Sequence, residues 1–339
     1  MTQTDPFTQT IHAPLNRRFC VAPMIDVTDR HYRYLARLLS HHTLLYTEMI
    51  TTGAILNGDQ EYLLGYSPQE HPLALQLGGS NVSELAQCAK IGEEYGYDEI
   101  NLNVGCPSDK VQNNMIGACL MGHPELVTEC MQAMAESVSI PVTIKHRIGL
   151  DDVDDYEVLA AFVEKVSSSG CNTFIVHARN AILKGLSPKQ NREIPPLQYD
   201  KVYRLKTDFP ELEIIINGGI DNITDCQTHL EKVDGVMLGR AANHNSAILG
   251  EVDQALYGST VSIPDRRQVA LTYFEYMQEK HSQGTSLHHM SGHIMGLFQG
   301  VPGARAFRRH ISQYIHGSTA DMQVMYDALE LIELPLEQC

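Results

Sequence analysis

One pattern governs the chain from residue 19 to about residue 258. A short apolar run ends in a polar or glycine cluster, and a segment of helical spacing follows. The runs are FCVAPM (19–24), LLYTEM (44–49), LALQLGG (73–79), EINLNVG (99–105), PVTIKHR (141–147), TFIVHAR (173–179), EIIINGG (213–219) and DGVMLGR (234–240). Runs this uniformly apolar suit strands buried on both faces. Strands that alternate with helices call for parallel pairing through right-handed crossovers. Eight units of this kind predict an α/β fold, a (β/α)8 TIM barrel. A doubly wound sheet is the alternative, but it would carry a glycine fingerprint after the first strand, and VAPMIDVTD has none. Ser80 is the expected N-cap of the helix after the third strand. Beyond a linker at 259–264, residues 265–339 show helical stretches and no strand run, and read as a small helical domain. Residues 1–18 read as a poorly ordered lead-in ahead of the 19–258 barrel.

Composition narrows the function. No apolar run reaches the roughly 18 residues of a membrane span, and the N-terminus lacks the pattern of a secretory signal. The eight cysteines are scattered, without metal spacing, which fits a reduced, cytoplasmic protein. A formal charge of −16 argues against nucleic acid as a partner. That charge is uneven, however: residues 281–320 contain no Asp or Glu but three Arg and six His.

In a barrel enzyme the chemistry lies at the C-terminal strand ends. Here those ends carry Gln76, Asn101 and Asn103, Lys145 and Arg147, His177 and Arg179, Asn217, and Arg240. Period two puts each alternating pair on one side of its strand. Gly218-Gly219 after the seventh run and Gly239-Arg240 after the eighth suit a phosphate-bearing ligand. Lys145 lies in a run that should be buried, so it needs an anion. Either it pairs with Glu48 or Glu99 across the barrel, or it faces a cofactor that becomes anionic on reduction. Cys20, Cys88, Cys130, Cys171 and Cys226 look like small buried hydrophobes. Cys106, between a glycine and a proline at the mouth, is a candidate acid or nucleophile.

APM, QLGG, NLNVGCPS, KHRIG, HAR, NGGI and LGR, in this order, resemble the tRNA-dihydrouridine synthases over residues 19–310. GLSPKQNREIPPL (185–197) and GLFQGVPGARAFRRHIS (296–312) resemble the branch associated with uridines 20 and 20a of the tRNA D-loop. The resemblance implies FMN as cofactor, NADPH as reductant and tRNA as substrate. It implies that Pro23, Met24 and Ile25 line the flavin, that Gln76 meets the polar edge of its ring and that Lys145 sits near N1. His177, Asn217, Gly218, Gly219, Gly239 and Arg240 would hold the ribityl phosphate region. Asn103 and Cys106 would face the base, and Lys189, Arg192, Arg305 and Arg308 would contact tRNA. The implied reaction sends hydride from reduced FMN to C6 of uridine and a proton from Cys106 to C5. An acid must be protonated when it acts. The segment 107–112 is a candidate helix start, and a helix N-terminus would favour the thiolate.

Three other readings compete. A lyase using Lys145 as a Schiff base gives Cys106 no role. An FMN barrel acting on a free pyrimidine leaves residues 265–339 unexplained. His289 and His293 have the i, i+4 spacing of a metal pair, but HHMSGH lacks the Glu of HExxH, so a fortuitous pair is expected and no metal is assigned. No membrane or obligate protein partner is inferred.

Overall fold

The computed structural model describes residues 15–108, 115–316 and 321–333. Eight strands form the predicted barrel: β1 (Phe19–Val21), β2 (Leu45–Thr51), β3 (Leu73–Gly78), β4 (Glu99–Val104), β5 (Val142–Arg147), β6 (Thr173–His177), β7 (Glu213–Asn217) and β8 (Gly235–Leu238). Every paired neighbour is parallel, in the order β1-β8-β7-β6-β5-β4-β3-β2. A bridge between Cys20 and Leu44 brings β1 back to the start of β2 and closes the ring. Helices return the chain between strands, for example Val82–Tyr95, Pro124–Ser137 and Tyr156–Ser167. Their apolar faces and the outer faces of the strands form one large core, which includes Leu75, Ile100, Leu102, Ile144, Phe174 and Ile216.

The lumen differs from that outer core. Its apolar part is small: Cys20, Ala22, Leu44, Tyr46, Ala74, Ile175, Ile215 and Met237. The other described inward positions are largely polar, with Gln76, Glu99, Asn101, Asn103 and Thr143 on β3, β4 and β5 all buried. Since successive side chains point to opposite faces, EINLNV sends Glu99, Asn101 and Asn103 inward and Ile100, Leu102 and Val104 outward.

Two expectations need correction. The helix after β3 is capped by Asn81 rather than Ser80, because the Asn81 side chain accepts from the N–H groups of Ser83 and Glu84. The lead-in is not loose up to residue 18: Arg17 is buried, with its guanidinium on Glu99 and Glu213 at the barrel floor.

After residue 258 the described residues are helical. Arg266–Ser282 is followed by shorter helices and by Ala304–Tyr314. This part is fixed beside the barrel at the β1 end. Tyr276 stacks on Tyr34 at 4.0 Å, and its hydroxyl lies 2.7 Å from His31 Nδ1, both on the helix Arg30–Leu39. No described helix is long and apolar enough to cross a membrane.

Candidate active site

The turn that carries Cys106 is built by Asn103. Its side-chain oxygen accepts from Gly105 N (3.1 Å) and Cys106 N (2.9 Å), bending the chain back at the end of β4. Ala118 N donates to Cys106 O at 2.8 Å, bringing the returning segment alongside. Gly117 permits that approach: its φ is 85°, and a Cβ there would lie 2.4 Å from Cys106 O. Cys106 is partly exposed, while Cys20, Cys88, Cys130, Cys171 and Cys226 are buried as expected. The candidate helix start falls largely on residues 109–114, which lie outside the described residues.

Neither anion suggested by the sequence pairs with Lys145. Its Nζ donates to Asn217 Oδ1 at 3.0 Å. Glu99 is taken by Arg17, and Glu48 Oε1 accepts from Asp26 N on the loop after β1. Among the described residues Lys145 has no carboxylate partner. Burial, and then the neighbouring Arg147, push its pKa down from 10.5 to about 7.

Arg147 is also buried. Its Nε donates to Gly105 O (3.1 Å) and its Nη1 to Asn191 O (3.1 Å), so it braces the cysteine turn against the 180–197 loop. Burial lowers its pKa to about 10, and Arg192 and Arg179 add repulsion. His177 is held well below its usual range by burial, then by Arg147, Lys145, Arg179 and Arg192. Among the described residues none of these five groups forms an ion pair, and Glu193 is held by Arg240 at 2.8 Å. In a chain with a formal charge of −16, the described residues of this mouth are predominantly cationic.

The remaining sequence candidates fall as follows. Pro23 and Met24 are partly buried on the loop after β1, and Ile25 is exposed at its tip. Gln76 and Asn103 are buried and bonded to each other at 2.8 Å. Gly218, with φ 115°, follows β7 against the His177 ring; a Cβ there would lie 2.8 Å from it. Gly219 also has positive φ, and Gly239 begins the turn after β8. Lys189 and Arg192 are exposed on the 180–197 loop, whose buried Asn191 ties it to Ile182 and Leu186. Arg305 and Arg308 lie on the helix Ala304–Tyr314, whose Ala304, Phe307 and Ile311 are buried.

Sequence reasoning missed four partners: Asn217 for Lys145, Glu193 for Arg240, Arg17 for Glu99, and Asp29 for the histidine pair. The i, i+4 spacing of His289 and His293 was a usable signal. Their Nε2 atoms reach Asp29 at 3.1 and 3.0 Å, so both rings meet one carboxylate of the barrel. No group of side chains suited to a metal ion occurs among the described residues. At the opposite end of the barrel a cleft of about 420 Å³ is lined by Arg17, Ser139, Asn172 and Glu213, away from the cationic mouth.

Residues 20–333 match the model of the dihydrouridine synthase family. The chain belongs to that family. It is 56% identical over 322 residues to a tRNA-dihydrouridine(20/20a) synthase of Shewanella oneidensis, covering 95% of this chain and 96% of the relative. It is 55% identical to the protein of that description in Pseudomonas aeruginosa (94% and 96% covered) and 54% identical to the one in Escherichia coli (98% and 96% covered). Among solved structures, a morphinone reductase variant in complex with tetrahydroNAD aligns with a TM-score of 0.50 and 13% identity, covering 74% of this chain and 90% of that one. This last match is a likeness of fold.

Proposed function

We propose that this dihydrouridine synthase reduces the C5–C6 double bond of uridine at positions 20 and 20a of the tRNA D-loop, with FMN at the barrel mouth and NADPH as reductant, in the cytoplasm. The observation that carries the reading is the cation set around Lys145, which has no carboxylate partner among the described residues, beside the Cys106 turn. A phosphate-bearing, reducible ring fits it on three counts. Among the described residues Lys145 has no carboxylate partner, the β7 turn carries Gly218 and Gly219 at positive φ beside His177, and Gln76 and Asn103 each use only one amide hydrogen in the bonds described.

When bound, the flavin supplies the hydride that reaches C6 of the uridine. Cys106 gives the proton to C5 from the opposite side. Asn103 fixes the turn that aims this thiol. Lys145, held by Asn217, favours negative charge beside it, so a ligand that becomes anionic is stabilised there. His177, kept neutral by burial and then by its cationic neighbours, offers a hydrogen bond without adding charge. The helical part from 265 to 339 is the tRNA-holding domain in this reading. Its acid-free stretch and Arg305 and Arg308 meet phosphates, as do Lys189 and Arg192, while the target base is drawn out of its stack.

The test is anaerobic. The yellow protein is reduced with NADPH, and flavin re-oxidation is followed on adding an unmodified tRNA transcript. Re-oxidation by that transcript, but not by one with cytidine at both target positions, is the expected result. Re-oxidation by free uridine or orotate instead would move the assignment to a free pyrimidine. Cys106→Ala should leave reduction by NADPH nearly intact and slow the tRNA step by about a hundredfold or more. Equal loss in both steps would overturn the proton-donor role.

A further inference from the structure

A continuous line of buried polar side chains runs from the Cys106 turn to the barrel floor. Asn103 Nδ2 donates to Gln76 Oε1 (2.8 Å), Gln76 Nε2 to Asn101 Oδ1 (2.7 Å), Asn101 Nδ2 to Thr143 Oγ1 (2.9 Å), and the Thr143 hydroxyl to Glu99 Oε1 (2.6 Å). The same carboxylate accepts from Tyr46 (2.7 Å) and from Arg17 Nε (2.7 Å).

The two ends of this line set its direction. At the mouth, Asn103 must present oxygen, because Gly105 and Cys106 approach it with backbone N–H groups that can only donate. At the floor, the carboxylate beside Arg17 can only accept. Every amide between them therefore has one allowed orientation, with nitrogen toward the floor and oxygen toward the mouth. Polar side chains that merely satisfied one another could run either way. This line cannot while Glu99 is a carboxylate.

We propose that Glu99, through Thr143, Asn101 and Gln76, is a positioning residue for the Cys106 turn: it sets the amide orientation that lets Asn103 accept from Gly105 and Cys106. The consequence of Glu99→Gln follows step by step. With its oxygen kept on Arg17, the new amide donates to Thr143. Thr143 loses the acceptor of its hydroxyl and regains one by donating to Asn101, which turns over, and so do Gln76 and Asn103 in sequence. At the mouth an NH2 group meets two N–H groups, and the turn loses its acceptor.

This deepens the function proposed above, but its main test does not depend on that function. The rate of iodoacetamide alkylation is measured at Cys106 by peptide mass spectrometry, with Cys119 as internal reference. Cys119 is partly exposed and its Sγ faces Ile116 O, outside the polar line. In Glu99→Gln the Cys106-to-Cys119 ratio should rise by about three- to tenfold, the range that one lost hydrogen bond corresponds to. Thr143→Val, near-isosteric and uncharged, cuts the line while keeping the Arg17–Glu99 pair, so it carries the test if Glu99→Gln fails to fold. It should raise the ratio too, and Thr143→Ser should restore it. A ratio unchanged in a folded Thr143→Val protein overturns the proposal, as does equal behaviour of the Val and Ser variants. In the kinetic arm, Thr143→Val should lower kcat of the tRNA step by about three- to tenfold, again one hydrogen bond's worth, with KM for tRNA unchanged. A protein that keeps the alkylation contrast but never turns over tRNA would support the positioning role and remove the proposed reaction.

Discussion

Arg17 and Lys145 are cations in the same barrel, one at the floor and one at the mouth, and their surroundings treat them oppositely. Burial alone would lower the Arg17 pKa, but Glu99 and then Glu213 outweigh it and the value ends raised. Burial lowers the Lys145 pKa as well, and there Arg147 adds to the effect. The floor charge is complete within the fold. Among the described residues the mouth charge has no carboxylate partner, so burying it carries a desolvation cost that an anion beside it would offset. Pairing separates these two cations; depth in the barrel does not.

The largest effect expected from breaking this contrast is at the floor. Glu99→Ala leaves Arg17 with Glu213 alone and should cost about 3–5 kcal/mol, the usual loss when one member of a buried pair is removed. Urea unfolding measures it, and a loss below about 1 kcal/mol would mean that water reaches Arg17. At the mouth, Lys145→Met should weaken FMN binding to the cofactor-free protein by about ten- to a hundredfold, as titration calorimetry would show, since a partly desolvated charge contact is lost. The same variant should not lose stability without FMN, and a clear loss would end the contrast.

A pH series sharpens it further. Between pH 7 and 10.5 the unfolded chain keeps a proton on Lys145 that the folded chain gives up. The cost of this lysine is therefore fully present below about pH 7 and is relieved as pH rises toward 10.5. Stability of the cofactor-free protein should rise across that window relative to Lys145→Met, by on the order of 1–3 kcal/mol. Parallel pH profiles would count against it. The smallest effect belongs to the joint between barrel and helical part. The hydrogen bond to Asp29, larger than the opposing burial, raises the pKa of the more exposed His289. Its contribution is complete below pH 6.5 and fades as pH rises through the raised value. His289→Gln should cost less than about 1 kcal/mol, and a larger loss in a pH 6 melt would show that this joint holds more than its exposure suggests.

The barrel was legible because each strand run keeps a single period. EINLNV and PVTIKHR declare both their burial and their inward polar positions, and all eight runs are strands. The cluster at the mouth was legible for the same reason. Which cation meets which anion was not, because pairing across a barrel joins residues far apart in the chain. Glu99 was weighed against Lys145, yet it meets Arg17, 82 residues away, which the sequence reading left in a loose lead-in. Asn103 was read as facing the base. Its oxygen also serves the backbone, a local bond that residue type alone does not announce. The histidine pair was visible as spacing, but Asp29, 264 residues from His293, was not.

The register of β1 has a consequence for the order in which the molecule can be made. Phe19, Cys20 and Val21 pair with Val236, Met237 and Leu238, and Arg17 needs Glu213. During synthesis the first strand must therefore wait until residues 236–238 of the 339 have left the ribosome before its main partner exists. Contacts of such long sequence separation are slow to form and leave an apolar edge exposed meanwhile. A chain released before residue 238 can pair β2 through β7 but cannot close. Pulse-labelling of stalled nascent chains should find protease resistance appearing only after β8 has emerged.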